Sequence, residues 1–383
     1  MSHFSGGSSL SAYGWDETLE DDFSVHLAAG LMPARVVAVH RGLCEVVTAD
    51  GPVLAVTPRA DRPDPVAAPC TGDWAALRPA AGPAPDADTT PAPDALAPSV
   101  PGAGGRPVLA ALLPRRTAIV RAGASRDSRG QVLAANVDTV AIAVSLAARP
   151  SPGRLERLLA LAFESGARPV VVLTKADEAD PAGVAAAEAE AAAAAPGVDV
   201  VSCSALAGDG VDVVRAVLSG TVVLLGPSGA GKSTLGNALL GGEVLATGAV
   251  RDVDGKGRHT TVRRELLPLP GGGVLIDTPG LRGVGLLDAD EGLRRTFADV
   301  EELAERCRFG DCAHDTEPGC AVRAAVEDGS LSRRRLDGYR KLMRENAWAA
   351  ARSDARLRAE REGRRKALTR WQRQMYKERG RDR

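Results

Sequence analysis

Val222-Val-Leu-Leu-Gly226-Pro-Ser-Gly-Ala-Gly-Lys-Ser233 carries a short apolar β-type run into a glycine-rich loop and then into a helical pattern. A phosphate-binding loop needs that strand, loop and helix in that order. Gly226, Gly229 and Gly231, with Pro227, Ser228 and Ala230 between them, let backbone N–H groups face a phosphate. The following helix N-terminus adds a favourable dipole. Lys232 is placed to pair with β- and γ-phosphates, and Ser233, followed by Thr234, to ligate Mg2+. The loop alone does not choose between ATP and GTP.

The base choice comes from upstream. Thr174-Lys175-Ala176-Asp177 ends the apolar run Val170 to Leu173. A carboxylate at Asp177 can accept both N1–H and N2–H2 of guanine, a donor pair that adenine lacks. Lys175 would lay its alkyl stem along the base. The usual box begins with Asn, so Thr174 predicts altered affinity with guanine preference kept. Ser204-Ala205-Leu206 follows the run Val200 to Cys203 and fits a second base-contacting loop. In an ordinary GTPase the phosphate loop comes first and the base box later. Here the parts are rotated along the chain.

Downstream, Asp277-Thr-Pro-Gly280 follows Val274-Leu-Ile276. Asp277 is expected to hold Mg2+ through water, and the Gly280 N–H to reach the γ-phosphate. Leu281 stands where many GTPases place a water-orienting Gln. Gly257-Arg-His-Thr-Thr261 occupies the position of a switch loop, with Thr260 or Thr261 a Mg2+ and γ-phosphate ligand. His259 is the candidate to orient or deprotonate water.

A third constellation is Cys307-x4-Cys312-x-His314-x5-Cys320, three thiolates and one imidazole within fourteen residues. Tetrahedral Zn2+ favours such a set, and four protein ligands leave no open position, so the site reads as structural. The other cysteines, Cys44, Cys70 and Cys203, are scattered and give no disulfide framework.

The whole chain has 383 residues and a net charge of −1, which hides an acidic start and a basic end. From about Arg333 onward Arg and Lys outnumber acids by roughly twelve, with Trp348, Trp371 and Tyr376 interleaved. Arg333-Arg-Arg335, Arg364-Arg-Lys366 and the last basic residues would attract phosphate backbones, and the aromatics would stack on bases. No apolar run has the length of a spanning helix, and residues 1–23 lack the pattern of a secretory signal, so a cytosolic protein without membrane partner is expected.

Five short β-runs between Arg35 and Leu113, including Leu43 to Thr48 and Asp73 to Leu77, predict a small barrel. Pro79 to Pro107 reads as a disordered insertion within it. Strands alternating with helices, among them Thr139 to Leu146, Leu155 to Ser165, Pro181 to Ala195 and Lys232 to Leu240, predict a parallel sheet covered on both faces. After Asp288 the pattern is helical.

Together these residues resemble the ribosome small subunit-dependent GTPase A (RsgA) family of circularly permuted bacterial GTPases. The likeness runs from about Ala34 to Arg344. It includes Gly72-Asp73-Trp74, Asn136-Val-Asp138, the rotated GTPase parts, Gly257-Arg-His-Thr-Thr261, and Cys312-Ala-His314 leading to Glu317-Pro-Gly-Cys320. The resemblance implies an N-terminal OB-fold, a permuted P-loop GTPase domain and a C-terminal helical zinc domain. It also implies GTP hydrolysis stimulated by the small (30S) ribosomal subunit and a checkpoint role in late subunit maturation, with His259 at the position of the family's catalytic histidine. Thr174, the Pro/Ala insertion and the long N-terminal arm depart from the family's pattern.

The expected division is a flexible arm at 1–30, an OB-fold at 31–122 interrupted at 79–107, a GTPase domain at 123–287, a zinc domain at 288–345 and a basic helical tail at 346–383. A monomer is expected. Two rival readings differ in class: an RNA-binding ribosome-assembly scaffold with a nearly silent nucleotide site, and an ATP-using phosphotransferase. Loss of stimulated rate in His259→Ala would separate the GTPase from the scaffold, and GTP/ATP competition would remove the phosphotransferase.

Overall fold

The computed structural model describes residues 10–58, 66–80, 105–121, 130–246, 264–277 and 289–350. Strands β1 (Met32–His40), β2 (Leu43–Thr48), β3 (Gly51–Val56), β4 (Trp74–Arg78) and β5 (Val108–Leu112) close a barrel in the order β1-β2-β3-β5-β4. Its small core comes from alternate positions of neighbouring strands: Ala34, Val36, Cys44, Val46, Ala55, Ala75 and Leu77 are buried together. The expected insertion lies mostly at 81–104, outside the described residues.

The expected flexible arm is instead helical over much of its length. Helix α1 (Glu17–Ala28) is capped by Asp16, whose carboxylate accepts the Leu19 N–H at 2.8 Å. Leu19 and Phe23, one turn apart, are buried against the barrel, and Trp15 meets Trp74 edge-on at 5.1 Å. Two buried apolar residues and a cap order this segment although acids dominate its sequence.

The second layer is a six-stranded sheet. In chain order its elements are β8 (Thr139–Ser145), α2 (Pro152–Glu164), β9 (Arg168–Thr174), α3 (Pro181–Ala194), β10 (Asp199–Cys203), α4 (Val211–Val217), β11 (Thr221–Leu225), α5 (Lys232–Leu240), β12 (Glu265–Pro268) and β13 (Val274–Asp277). The hairpin β6 (Ala118–Arg121) and β7 (Gln131–Ala135) precedes them. Strand order is β10-β9-β8-β11-β13-β12, parallel except for β12 at the edge. From β8 the chain runs to β9 on one side and returns at β11 on the other. That reversal opens a crevice at the carboxyl ends of β8 and β11, where open α/β sheets bind ligands.

Gly72, Asp73, Trp74 and Asn136 bind the barrel to the sheet. Arg35 of β1 is 1% exposed and donates to Thr221 Oγ1 at 2.8 Å and the Asn136 carbonyl at 3.2 Å, with its guanidinium 4.7 Å from the Trp74 ring. Burial pulls its pKa down to about 10. Arg115 grips Asp73 with two bonds of 2.6 and 2.7 Å. At Gly72 (φ 94°) a Cβ would lie 2.2 Å from the Ala135 carbonyl, so only glycine permits this approach.

The C-terminal part is helical: α6 (Asp290–Thr296), α7 (Ala298–Ala304), α8 (Ala321–Glu327) and a helix, α9, over 333–350. Its core gathers Leu293, Phe297, Val300, Val322, Leu331 and Leu336, and it packs on α2. Arg335, expected from its charge to serve nucleic acid, is buried. It donates to Glu156 Oε1 of α2 at 3.0 Å and to both oxygens of Asp299, and lies 4.4 Å from the Phe297 ring. Local charge counts cannot see that two carboxylates from other elements close around this guanidinium. Among the described residues no helix is long and apolar enough to cross a membrane.

Candidate nucleotide and zinc sites

The loop after β11 follows the geometry its glycines allow. Gly226 (φ 149°) approaches β8 so closely that a Cβ would sit 2.5 Å from the Ala143 carbonyl, and Gly231 (φ 74°) caps α5. Ser228 and Gly229 are exposed while Ala230 is buried, so the loop's crest is open to a ligand and its far end is anchored. Lys232 Nζ bonds the carbonyl oxygens of Gly226 at 2.9 Å and Pro227 at 2.7 Å. Its ammonium is held inside the curve, where phosphate oxygens would meet it.

Strand pairing brings the base box to this loop. Ser145 pairs with Thr174, and Thr174 with Cys203, so the ends of β8, β9 and β10 lie side by side. Thr174 is buried, and its hydroxyl donates to the Ala230 carbonyl at 2.8 Å. The hydroxyl that replaces the usual amide therefore ties the base box directly to the phosphate loop. Lys175 has φ 60°, a left-handed conformation that costs a non-glycine residue roughly 1–3 kcal/mol. Asp177 follows in a single 3-10 turn and faces solvent. Ser204 is buried, its hydroxyl accepting the Ala207 N–H at 3.1 Å, which leaves Ala205 half-buried and Leu206 exposed beside the base box.

Asp277 ends β13, next to β11, and is half-buried. Burial raises its pKa, with the Lys232 cation opposing and Glu265 adding to the rise. A bound dication would relieve that penalty, and Ser233 is the second residue of α5, the helix after β11. These two residues fit Mg2+. His259, Thr260, Thr261, Gly280 and Leu281 lie outside the described residues.

The zinc site is assembled from the turn between α7 and α8. Ligand atoms of Cys307, Cys312, His314 and Cys320 all lie within 4.8 Å of one another. The sulfurs of Cys307 and Cys320 are 3.8 Å apart, and His314 Nδ1 is 3.6 and 3.5 Å from them. Zinc bonds of about 2.3 Å to sulfur and about 2.0 Å to nitrogen at tetrahedral angles require about 3.8 and about 3.5 Å for these separations. The residues fit the ion. Second-layer bonds fix the loop: Glu317 accepts the N–H groups of Asp315 at 2.7 Å, Thr316 at 3.0 Å and Ala313 at 3.1 Å. Backbone N–H groups, its own foremost, hold the Glu317 carboxyl down at about 2. His314, like Asn136 and Lys175, is a non-glycine residue with positive φ. Backbone strain thus sits at the zinc site, the base box and the barrel junction.

Nothing in the sequence singles out Arg149 and Arg154. They line a cavity of about 310 Å3 in the crevice between β8 and β11, opposite Lys175 and the loop residues Pro227 to Ala230.

Residues 112–287 match the sequence model of the RsgA GTPase family. The chain is 55% identical over 362 residues to the small ribosomal subunit biogenesis GTPase RsgA of Streptomyces coelicolor, covering 94% of this chain and 92% of that protein. It is 44% identical to the protein of the same name from Opitutus terrae, covering 92% and 94%. Among solved structures it resembles YjeQ from Thermotoga maritima (TM-score 0.58, 24% identity, covering 82% of this chain and 98% of that one). It also resembles YloQ, a circularly permuted GTPase (TM-score 0.55, 22% identity, covering 82% and 94%). The two structures share its fold.

Proposed function

The chain belongs to the RsgA GTPase family and is a GTP hydrolase of ribosome biogenesis; from that premise we propose that it binds the small (30S) ribosomal subunit and hydrolyses GTP to GDP and phosphate late in that subunit's maturation, with the subunit stimulating the reaction. The observation that supports the nucleotide chemistry is the 2.8 Å bond from Thr174 to Ala230, which joins the candidate base box to the phosphate loop at the carboxyl end of the sheet. The protein acts as a monomer in the cytoplasm, and its barrel, zinc domain and basic tail meet rRNA.

In this reading, N–H groups of the loop and the Lys232 ammonium hold the phosphates. Lys175 and Asp177 read the base, with Ser204 and Ala205 closing over it. Ser233 and Asp277 would hold Mg2+, which would supply charge neutralisation to the phosphates. His259 orients the attacking water or takes its proton, the work Leu281 cannot do, and Thr260 or Thr261 is the candidate ligand for Mg2+ and the γ-phosphate. Zinc on Cys307, Cys312, His314 and Cys320 is structural. The units that act are the barrel at 31–122, the GTPase domain at 123–287 and the zinc domain at 288–345, with GTP holding them in the geometry that grips the subunit.

The test is GTP hydrolysis by the purified protein with and without small subunits, repeated with Lys232→Ala and His259→Ala. Strong stimulation lost in both variants is expected. Tight subunit binding without stimulation would sink the reading, as would equal subunit affinity of the GTP and GDP forms for its domain-grip part.

A further inference from the structure

We propose that Arg149 and Arg154 act as arginines supplied in cis to the terminal phosphate of bound GTP, a role resting on the GTPase reading above. Three observations carry it. The first is position: both arginines line the cavity in the β8–β11 crevice, and Pro227, Ser228, Gly229 and Ala230 form its facing wall. The second identifies which end of the nucleotide lies there. Lys232, the residue that pairs with β- and γ-phosphates in such loops, has its ammonium 2.7 Å from the Pro227 carbonyl. The cavity wall and the lysine head share that residue, so the cavity runs from Lys175 of the base box to the phosphate end of the cradle.

The third observation is charge. Both guanidiniums are exposed, and neither has an ion pair or side-chain hydrogen bond among the described residues. Other arginines at α2 are tied down: Arg335 to Glu156 and Asp299, Arg157 to Glu345. Arg149 and Arg154 are left to face an anion. A guanidinium delivers planar, permanent charge to phosphate oxygens and costs no proton transfer. In loop-containing GTPases an arginine placed on the transferring phosphoryl group raises kcat by about 10³–10⁵. With Leu281 unable to position water, added charge stabilisation at the γ-phosphate matters more.

The helix that carries Arg154 is tied to the zinc domain. Arg154 lies in the first turn of α2, and two residues further Glu156 is locked by Arg334 and Arg335, each 3.0 Å from its Oε1. Movement of the zinc domain against α2 would therefore shift Arg154 relative to the loop.

The experiment is single-turnover GTP hydrolysis, with saturating small subunits, by the full-length protein and by Arg149→Ala, Arg154→Ala, the double variant and the double lysine variant. GDP affinity and thermal midpoint are measured on each. The double alanine variant is expected to lose at least about 10-fold in rate. Its GDP affinity should change less than about 3-fold, its thermal midpoint should hold, and lysines should restore part of the rate. An undiminished double variant beside an active unsubstituted protein overturns this role alone, as does an equal loss of GDP affinity. An unsubstituted protein that turns over no GTP overturns the GTPase reading, and this role with it.

Discussion

The zinc centre and the nucleotide cradle are both ligand sites, yet they stand at opposite degrees of readiness. At the zinc centre the donor atoms of Cys307, His314 and Cys320 already have the spacings of a tetrahedral shell. In the cradle Lys232 turns onto the carbonyls of Gly226 and Pro227, and Asp177 faces solvent. A structural ion binds once, and its binding energy is folding energy. A nucleotide comes and goes, so the cradle's charged groups need partners in both states. Carbonyls serve Lys232 until phosphate oxygens replace them.

Removing the ion breaks this contrast most severely. Chelation, or Cys320→Ser, is expected to cost the α6–α9 unit about 10 kcal/mol or more of folding energy. Limited proteolysis should then cut within 289–350 while the sheet domain survives. A protease-resistant C-terminal unit after complete zinc loss would show that its apolar core suffices. Next in size is Arg335→Ala, which leaves the buried Glu156 with only the more exposed Arg334 and takes the cation from Asp299. Breaking such a pair costs about 3–5 kcal/mol, read as a lower thermal midpoint with zinc still bound.

Lys232→Ala touches the cradle alone. Stimulated hydrolysis is expected to fall about 100-fold or more, since this charge is aimed at the reacting phosphate. The nucleotide-free thermal midpoint should stay within about 2 °C, because this residue's role is toward ligand. A large drop in that midpoint would mean that the loop depends on the lysine for its fold. The smallest effect is at the base box. Thr174→Ala removes the bond to Ala230 and is expected to weaken GDP binding by about 1 kcal/mol, roughly fivefold. Thr174→Asn, which restores the usual residue of the box, should bind GDP at least as tightly as the unsubstituted protein in the same titration, since an amide can reach the same carbonyl.

The legible parts were those encoded within a dozen residues. The expected helix Lys232 to Leu240 matches the structure residue for residue, and the run Val200 to Cys203 falls within strand β10. Glycine spacing and the apolar run before it marked the phosphate loop, and thiolate spacing marked the zinc ligands. The edge strand Glu265–Pro268 went unseen because four residues ending in proline carry too short an alternation to stand out. Helix α1 was hidden by its four acids and the Asp16 before them, since the two apolar residues that order it find their partners only on the barrel.

By itself, the sequence determined the rotated order of the GTPase parts, the phosphate loop and the metal ligand set. Those are statements about residue type and local spacing, which backbone geometry and donor chemistry fix without reference to the rest of the chain. Tertiary structure alone decided which charges are free. Arg335 and Glu156 are 179 residues apart, and Arg35 and Thr221 are 186 apart, yet each pair is joined by a hydrogen bond inside the protein. Arg149 and Arg154, nearer in sequence to the base box than to the loop, face that loop because β11 returns beside β8. A guanidinium reads the same in any sequence; whether it is buried in an ion pair or open to a phosphate depends on which distant strand or helix the fold brings against it.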